Sequence, residues 1–189
     1  NSGFAEVELR SPSGEQSIHA WFNESNRISG HSTDGTYEAE VTIPAFSEAG
    51  EWNVGSMQTR DNAGNDDYQY ADDASGNIPS NLQLTLNVAS NSSDTTPPVF
   101  ESLSLSQNSV DVSSTDQTFT VTARITDNLS GLTNSGSNSG FAEVELRSPS
   151  SEQSLQVWFN ESNRISGDST DGTYECEVTI PAFSEAGEW

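Results

Sequence analysis

The chain has 189 residues, with 29 acidic side chains against 6 basic ones and a formal net charge of −23. A polyanion of this kind repels nucleic acid and anionic lipid, so neither is expected as a partner. All six basic residues are Arg, which excludes a Lys–Asn isopeptide staple, and the lone Cys176 excludes an internal disulfide. No apolar stretch has the length of a membrane span, so no membrane insertion is expected, and no signal peptide is visible.

Residues 4–10 (FAEVELR) alternate, with Ala5, Val7 and Leu9 on one face and Glu6, Glu8 and Arg10 on the other. After the turn SPSGEQ, residues 17–23 alternate again, with Ile18, Ala20 and Phe22 apolar and His19, Trp21 and Asn23 opposite. Residues 24–35 read as a polar loop. Residues 36–44 (TYEAEVTIP) read as a strong strand with Tyr37, Ala39, Val41 and Ile43 inward. The turn PAFSEAGE leads to a strand over 52–59 whose weaker alternation suggests a bulge. Residues 60–81, with five Asp, read as the longest loop, and Leu82, Leu84, Leu86 and Val88 mark the next strand. ASNSSDTTPP (89–98) reads as a linker. A new module opens at Val99 and continues through the strand 117–126, with Phe119, Val121, Ala123 and Ile125 inward. Residues 126–139 form a further loop.

From Asn138 the chain repeats itself. Asn1–Trp52 returns as Asn138–Trp189 at an offset of 137 residues, with six differences: Gly14/Ser151, Ile18/Leu155, His19/Gln156, Ala20/Val157, His31/Asp168 and Ala39/Cys176. Such a self-match marks a tandem array. By strand parity Cys176 points inward as a small hydrophobe. No segment has a helical period, and many short strands between regular turns predict an antiparallel β-sandwich. Merging the two partial copies gives seven strands, labelled A to G: 99–105, 117–126, 141–147, 154–160, 173–180, and the counterparts of 52–59 and 82–88. Residues 1–93 then carry C to G of one repeat, with the linker at 89–98, and residues 94–189 carry A to E of the next. The chain starts and ends inside the repeat. It is expected to be a window of a longer array, to close as a circular permutation of residues 53–189, or to be completed by neighbouring chains as a filament.

The stretch DTTPPVFESLSLSQNSVDVSSTDQTFTVTARITDNLSG, with EAGEW and TRDNAGN, resembles the bacterial immunoglobulin-like and cadherin-like tandem repeats of large secreted or surface, adhesin-type proteins. The resemblance covers essentially the whole chain. It implies an all-β immunoglobulin-like sandwich repeating about every 137 residues. It also implies a spacer or adhesive stalk outside the cell or on its surface, often ordered by calcium, and no catalytic residues.

In a sandwich of this order the BC, DE and FG loops share one pole. These loops carry Asp127, Asn128, Asp168, Asp171, Asp34, Asp61, Asp66, Asp67, Asp72 and Asp73, and strand A starts there just after Asp94. Calcium takes six to eight oxygen ligands, so a calcium site at the junction of modules is one reading, with Asp61, Asp66, Asp67, Asp94, Asp127, Asn128, Asp168 and Asp171 as candidate ligands. The other reading is that these side chains bond to the backbone of their own turns, or only keep the chain soluble in salt. His19 and His31 are Gln156 and Asp168 in the other copy, which argues against a His-based site. No nucleophile motif and no apolar cleft around paired carboxylates is visible, so no enzyme is expected. Trp21 and Trp158 are candidates for stacking on a glycan; otherwise one Trp of each copy belongs in the core and the other at a module contact. Asn23, Asn91, Asn128 and Asn160 stand in N-x-S sequons.

Overall fold

The computed structural model describes residues 3–71, 78–132 and 141–189. The chain divides into two compact units, Asn1–Thr95 and Thr96–Trp189. Both are all-β, and every strand pairing is antiparallel.

In the first unit the two alternating stretches become β1 (Phe4–Arg10) and β2 (Ser17–Phe22), in register from Ala5↔Phe22 to Arg10↔Ser17. The predicted polar loop instead holds a single 3-10 turn (Glu24–Asn26) and a hairpin of β3 (Arg27–His31) and β4 (Asp34–Tyr37). Asn23 caps the turn, its Oδ1 accepting from Ser25 N–H while Asn26 Oδ1 accepts from Asn23 N–H, each at 2.8 Å. The hairpin needs Gly30, at φ +78°, where a Cβ would lie 2.2 Å from the Asp34 carbonyl oxygen.

β5 (Gly50–Arg60) is the central strand of the main sheet. It pairs with β1, and the register shifts between Glu8↔Ser56 and Leu9↔Val54, so Gly55 is the extra residue of the expected bulge. On its other edge lie β6 (Asp66–Tyr70) and β7 (Thr85–Val88), which pair with opposite halves of β5. The sheet order is β2-β1-β5-β6, with β7 also on β5. The loop expected over 60–81 is interrupted by a strand. Residues 66–70 are a strand, and only Asp61–Asn65 turn the corner. Asp72 and Asp73 lie outside the described residues. The final strand begins at Thr85, after a 3-10 turn at Ser80–Leu82.

Residues 89–94 do not behave as a free linker. Ala49 N–H donates to Ser93 Oγ (2.9 Å), Asp94 N–H to Phe46 O (2.8 Å), and Gln16 Nε2 to Asp94 O (2.6 Å). These bonds fasten the segment to the two short turns of the first unit.

The second unit contains β8 (Val99–Leu105), β9 (Gln117–Thr126), β10 (Ala142–Arg147), β11 (Ser154–Phe159), β12 (Arg164–Gly167) and β13 (Asp171–Ile180). A four-stranded sheet, β12-β13-β9-β8, and the β10–β11 hairpin share one core. Phe119, Val121, Ala123 and Ile125 enter it from β9, Tyr174, Val178 and Ile180 from β13, and Val157 and Phe159 from β11. The alternation read from 117–126 thus has the inward face it predicted, and Cys176 packs against this core. The 161–172 loop is again a capped 3-10 turn followed by a strand, β12.

One sequence takes two conformations. Residues 173–180 (TYECEVTI) belong to strand β13, bonded to β9 from Thr173↔Arg124 to Ile180↔Gln117. Its copy leaves the strand conformation after Tyr37, and residues 38–44 are irregular. The cause is the partner. Among the described residues the first unit has no counterpart of β9, so the backbone of 38–44 has no ladder to join. Exposure follows: Val178 is 6% exposed and its copy Val41 is 39% exposed.

Val178→Ala is therefore expected to lower the stability of the second unit by about 2 kcal/mol. Val41→Ala is expected to stay within about 0.5 kcal/mol of the parent. Urea unfolding of both variants checks this, and equal effects would contradict the assignment.

Candidate functional site

Of the carboxylates expected to share a metal, some close turns and others stand on strands. Asp61 closes the β5–β6 corner: its Oδ1 accepts from Ala63 N–H and Asn65 N–H at 2.9 Å, and its Oδ2 from Asn65 Nδ2 at 2.7 Å. The Asn65 side chain, with these backbone amides, holds the Asp61 carboxyl below the usual carboxylate range. Asp66 and Asp67 lie on β6. Asp66 faces Arg60 at 3.7 Å, and Asp67 Oδ2 accepts from Gln69 Nε2 at 3.0 Å. Asp94 stands with the short turns at the Gly50 end of β5, while Asp61 follows its Arg60 end. An 11-residue strand spans about 33 Å, so these two do not meet within the first unit.

In the second unit Asp127, Asp168 and Asp171 do come to one end. Asp127 N–H donates to Thr170 O at 2.8 Å, and Leu132 N–H to Ser169 O at 3.0 Å. Their oxygens are largely spoken for. Asp127 Oδ1 accepts from Leu129 N–H and Gly131 N–H at 2.9 and 2.7 Å. Asp168 Oδ1 accepts from Thr170 N–H, Thr170 Oγ1 and Asp171 N–H. Asp171 forms a two-pronged pair with Arg124, both bonds 2.9 Å, whose guanidinium holds its carboxyl low. Asp127 Oδ2 is buried without a hydrogen-bond partner among the described residues, and Asn128 is exposed. Among the described residues no three His, Cys, Asp or Glu side chains group to hold a metal ion.

A different arrangement covers the outer face of the sheet β2-β1-β5-β6. Strand register puts Trp21, Glu6, Gln58 and Tyr68 in one row across the four strands, and His19, Glu8, Ser56 and Tyr70 in the next. Trp21 is 51% exposed and Tyr68 53%. Phe4 leans on Trp21, with ring centroids 5.6 Å apart, and Tyr68 stacks beside Tyr70 at 6.3 Å. Gln58 Nε2 donates to the Tyr68 hydroxyl. The acids on this face have side-chain partners: Glu6 Oε1 accepts from His19 Nδ1 at 2.6 Å, Glu8 faces Arg10 at 2.9 Å, and Asp66 faces Arg60. Ser56 Oγ also donates to Glu8 Oε2 at 2.7 Å. The aromatic pair recurs in the second unit as Phe141 and Trp158, 4.9 Å apart, with Trp158 42% exposed.

Trp52 is the core tryptophan of the first unit, 1% exposed, its Nε1–H donating to Glu48 O at 2.9 Å. Trp21 and Trp158 are not core residues. The sequence reading missed Tyr68 and Tyr70 because five Asp nearby made the segment look like loop. The signal was present in DYQY, where aromatics two apart share one face of a strand.

Residues 93–185 match a protein family described as a domain of unknown function (DUF7035), a span that begins just before β8 and ends beyond β13. No curated protein and no solved structure matches the chain. Among the described residues no helix is long and apolar enough to cross a membrane.

The depressed values of Asp61, Asp168 and Asp171 set a pH dependence. A carboxyl whose folded value lies below its unfolded value stabilises the fold above that unfolded value, near pH 4, and loses the effect as pH falls through the folded value. The urea midpoint is thus expected to drop on acidification below about pH 4. Asp171→Asn is expected to flatten that drop; an unchanged acid limb would contradict the role of the Arg124 pair.

Proposed function

We propose that the chain is part of a tandem array of immunoglobulin-like β-sandwich modules, with a structural, spacer or adhesive role at the cell surface or outside the cell. The observation that carries this is that the two units hold complementary sheets around the same repeated stretch. Counterparts in the repeat are β1 and β10, β2 and β11, β3 and β12, and β4 and β13. These are read as C, C′, D and E: the strand at 154–159, expected as D, pairs only with C and becomes C′, and β12 beside E takes the label D, so the second unit adds A and B on the E side, as β8 and β9. The first unit adds F and G on the C side, as β5 with β6 and β7. Overlaid on the repeat, the sheets become A-B-E-D and C′-C-F-G, which is the division of strands in an immunoglobulin-like sandwich. In this reading the irregular 38–44 is an E strand whose B strand belongs to the same module. In this reading the cleft of the second unit lined by Phe119, Leu146, Ile180 and Trp189 awaits the G strand, since Trp189 is the copy of Trp52, which stands opposite Leu86 of β7 in the first unit.

Calcium between modules is the further part of this proposal. It rests on the carboxylates gathered beside Asp127 and on the free Asp127 Oδ2. Other ligands would come from an adjoining module. Strand complementation between identical chains is the second reading, favoured by residues 39–43, which join no strand ladder among the described residues, since a free backbone edge accepts a strand from any source.

A 137-residue chain joining residues 94–189 to residues 53–93 carries every strand once. It is expected to unfold in one cooperative urea transition with a higher midpoint than the 189-residue chain. A lower midpoint or two transitions would contradict the module assignment. For a chain spanning two such modules, calcium at about one hundred times its Kd is expected to add about 2.7 kcal/mol, several degrees in Tm. An unchanged Tm on adding chelator removes calcium from the proposal. Sedimentation that stays monomeric at high concentration removes the filament reading.

A further inference from the structure

We propose that the outer face of the sheet β2-β1-β5-β6 binds a neutral oligosaccharide, laid across the strands between Trp21 and the Tyr68–Tyr70 pair. This does not depend on the array reading, because the face lies within the first unit.

The exposed aromatics stand at both edges of the sheet and polar groups lie between them. Trp21, backed by Phe4, is on β2, and Tyr68 and Tyr70 are on β6, with Glu6 and Gln58 on the strands between. Three strand spacings separate Trp21 from Tyr68, about 14 Å, the length of a few sugar rings. A pyranose ring offers an apolar C–H face to an aromatic ring and hydroxyls at its rim. The carboxylate and carboxamide floor supplies acceptors and donors for those hydroxyls. Large aromatics so exposed leave apolar area in water unless something covers it.

Charge selects the class of ligand. The chain carries −23, yet on this face Glu6 is held in a hydrogen bond by His19, and Glu8 and Asp66 face the Arg10 and Arg60 guanidiniums. Between the aromatics a cationic peptide therefore meets acids that already have partners. An anionic glycan meets the repulsion of the whole molecule. A neutral glycan meets neither penalty. The aromatic row is fullest in the first unit, where β5 and β6 extend it. The second unit presents only the Phe141–Trp158 end of the same design.

The test is calorimetric titration of the 189-residue protein with cellohexaose, xylohexaose, mannohexaose and chitohexaose, and with hexagalacturonate as the anionic probe. Saturable binding of at least one neutral hexaose is expected, without binding of hexagalacturonate. Trp21→Ala and Tyr68→Ala are each expected to weaken that binding about tenfold or more, and Trp158→Ala less. Both first-unit side chains are exposed, and unchanged far-ultraviolet circular dichroism confirms that each variant folds. Absence of binding to all four neutral probes overturns the proposal, as does binding that survives both substitutions. Tighter binding of hexagalacturonate overturns it too. So does self-association of the parent chain that Trp21→Ala abolishes, which would make the face a contact between copies.

Discussion

Backbone amides and carbonyls that leave water must find partners, and this single requirement shapes both halves of the chain. The segment from Tyr174 to Ile180 is a strand because β9 lies beside it, residue for residue. Its near-identical copy after Tyr37 has no such neighbour among the described residues and stays irregular, with Val41 turned toward solvent. The only substitution between the two segments, Ala39 for Cys176, is too small a change to decide the outcome. Strand propensity proposed the conformation; the adjoining strand disposed of it.

The same logic sets what the acid does. A polyanion must keep its carboxylates apart or give them donors. Here many receive backbone N–H groups in tight turns, as at Asp61, Asp127 and Asp168, and others face Arg, as at Asp171 and Asp66. The turns that order the loops thus consume much of the coordinating capacity that composition suggested. On the outer face of the β2-β1-β5-β6 sheet Glu6, Glu8 and Asp66 each have a side-chain partner, and exposed aromatics stand beside them.

The period-2 pattern made β1, β2, β9 and β13 legible, because each puts one apolar face against a neighbour. Parity even placed the Ile18/Leu155 and Ala20/Val157 differences on the inner side. Strands without such a face were not legible. β3 and β12 are Gly- and Ser-bearing hairpin arms whose pairing depends on a left-handed glycine, and β6 is hidden among Asp residues. The turn chemistry of Asn23 and Asn160 was written in the sequence as an ordinary polar loop. Trp21 was readable as an outward residue from alternation alone. Its neighbours Tyr68 and Tyr70 were not, since strand order across a sheet cannot be counted from one strand. The fate of residues 38–44 lay beyond any local pattern, because it is decided by a strand far away in sequence.

Amide hydrogen exchange on the intact chain reads the central claim directly. Amides of Cys176–Ile180 bonded to β9 should be protected, while those of Ala39–Ile43 should exchange near the rate of an open chain. Equal protection of the two copies would contradict an account in which the partner strand, and not the sequence of the segment, makes the sheet.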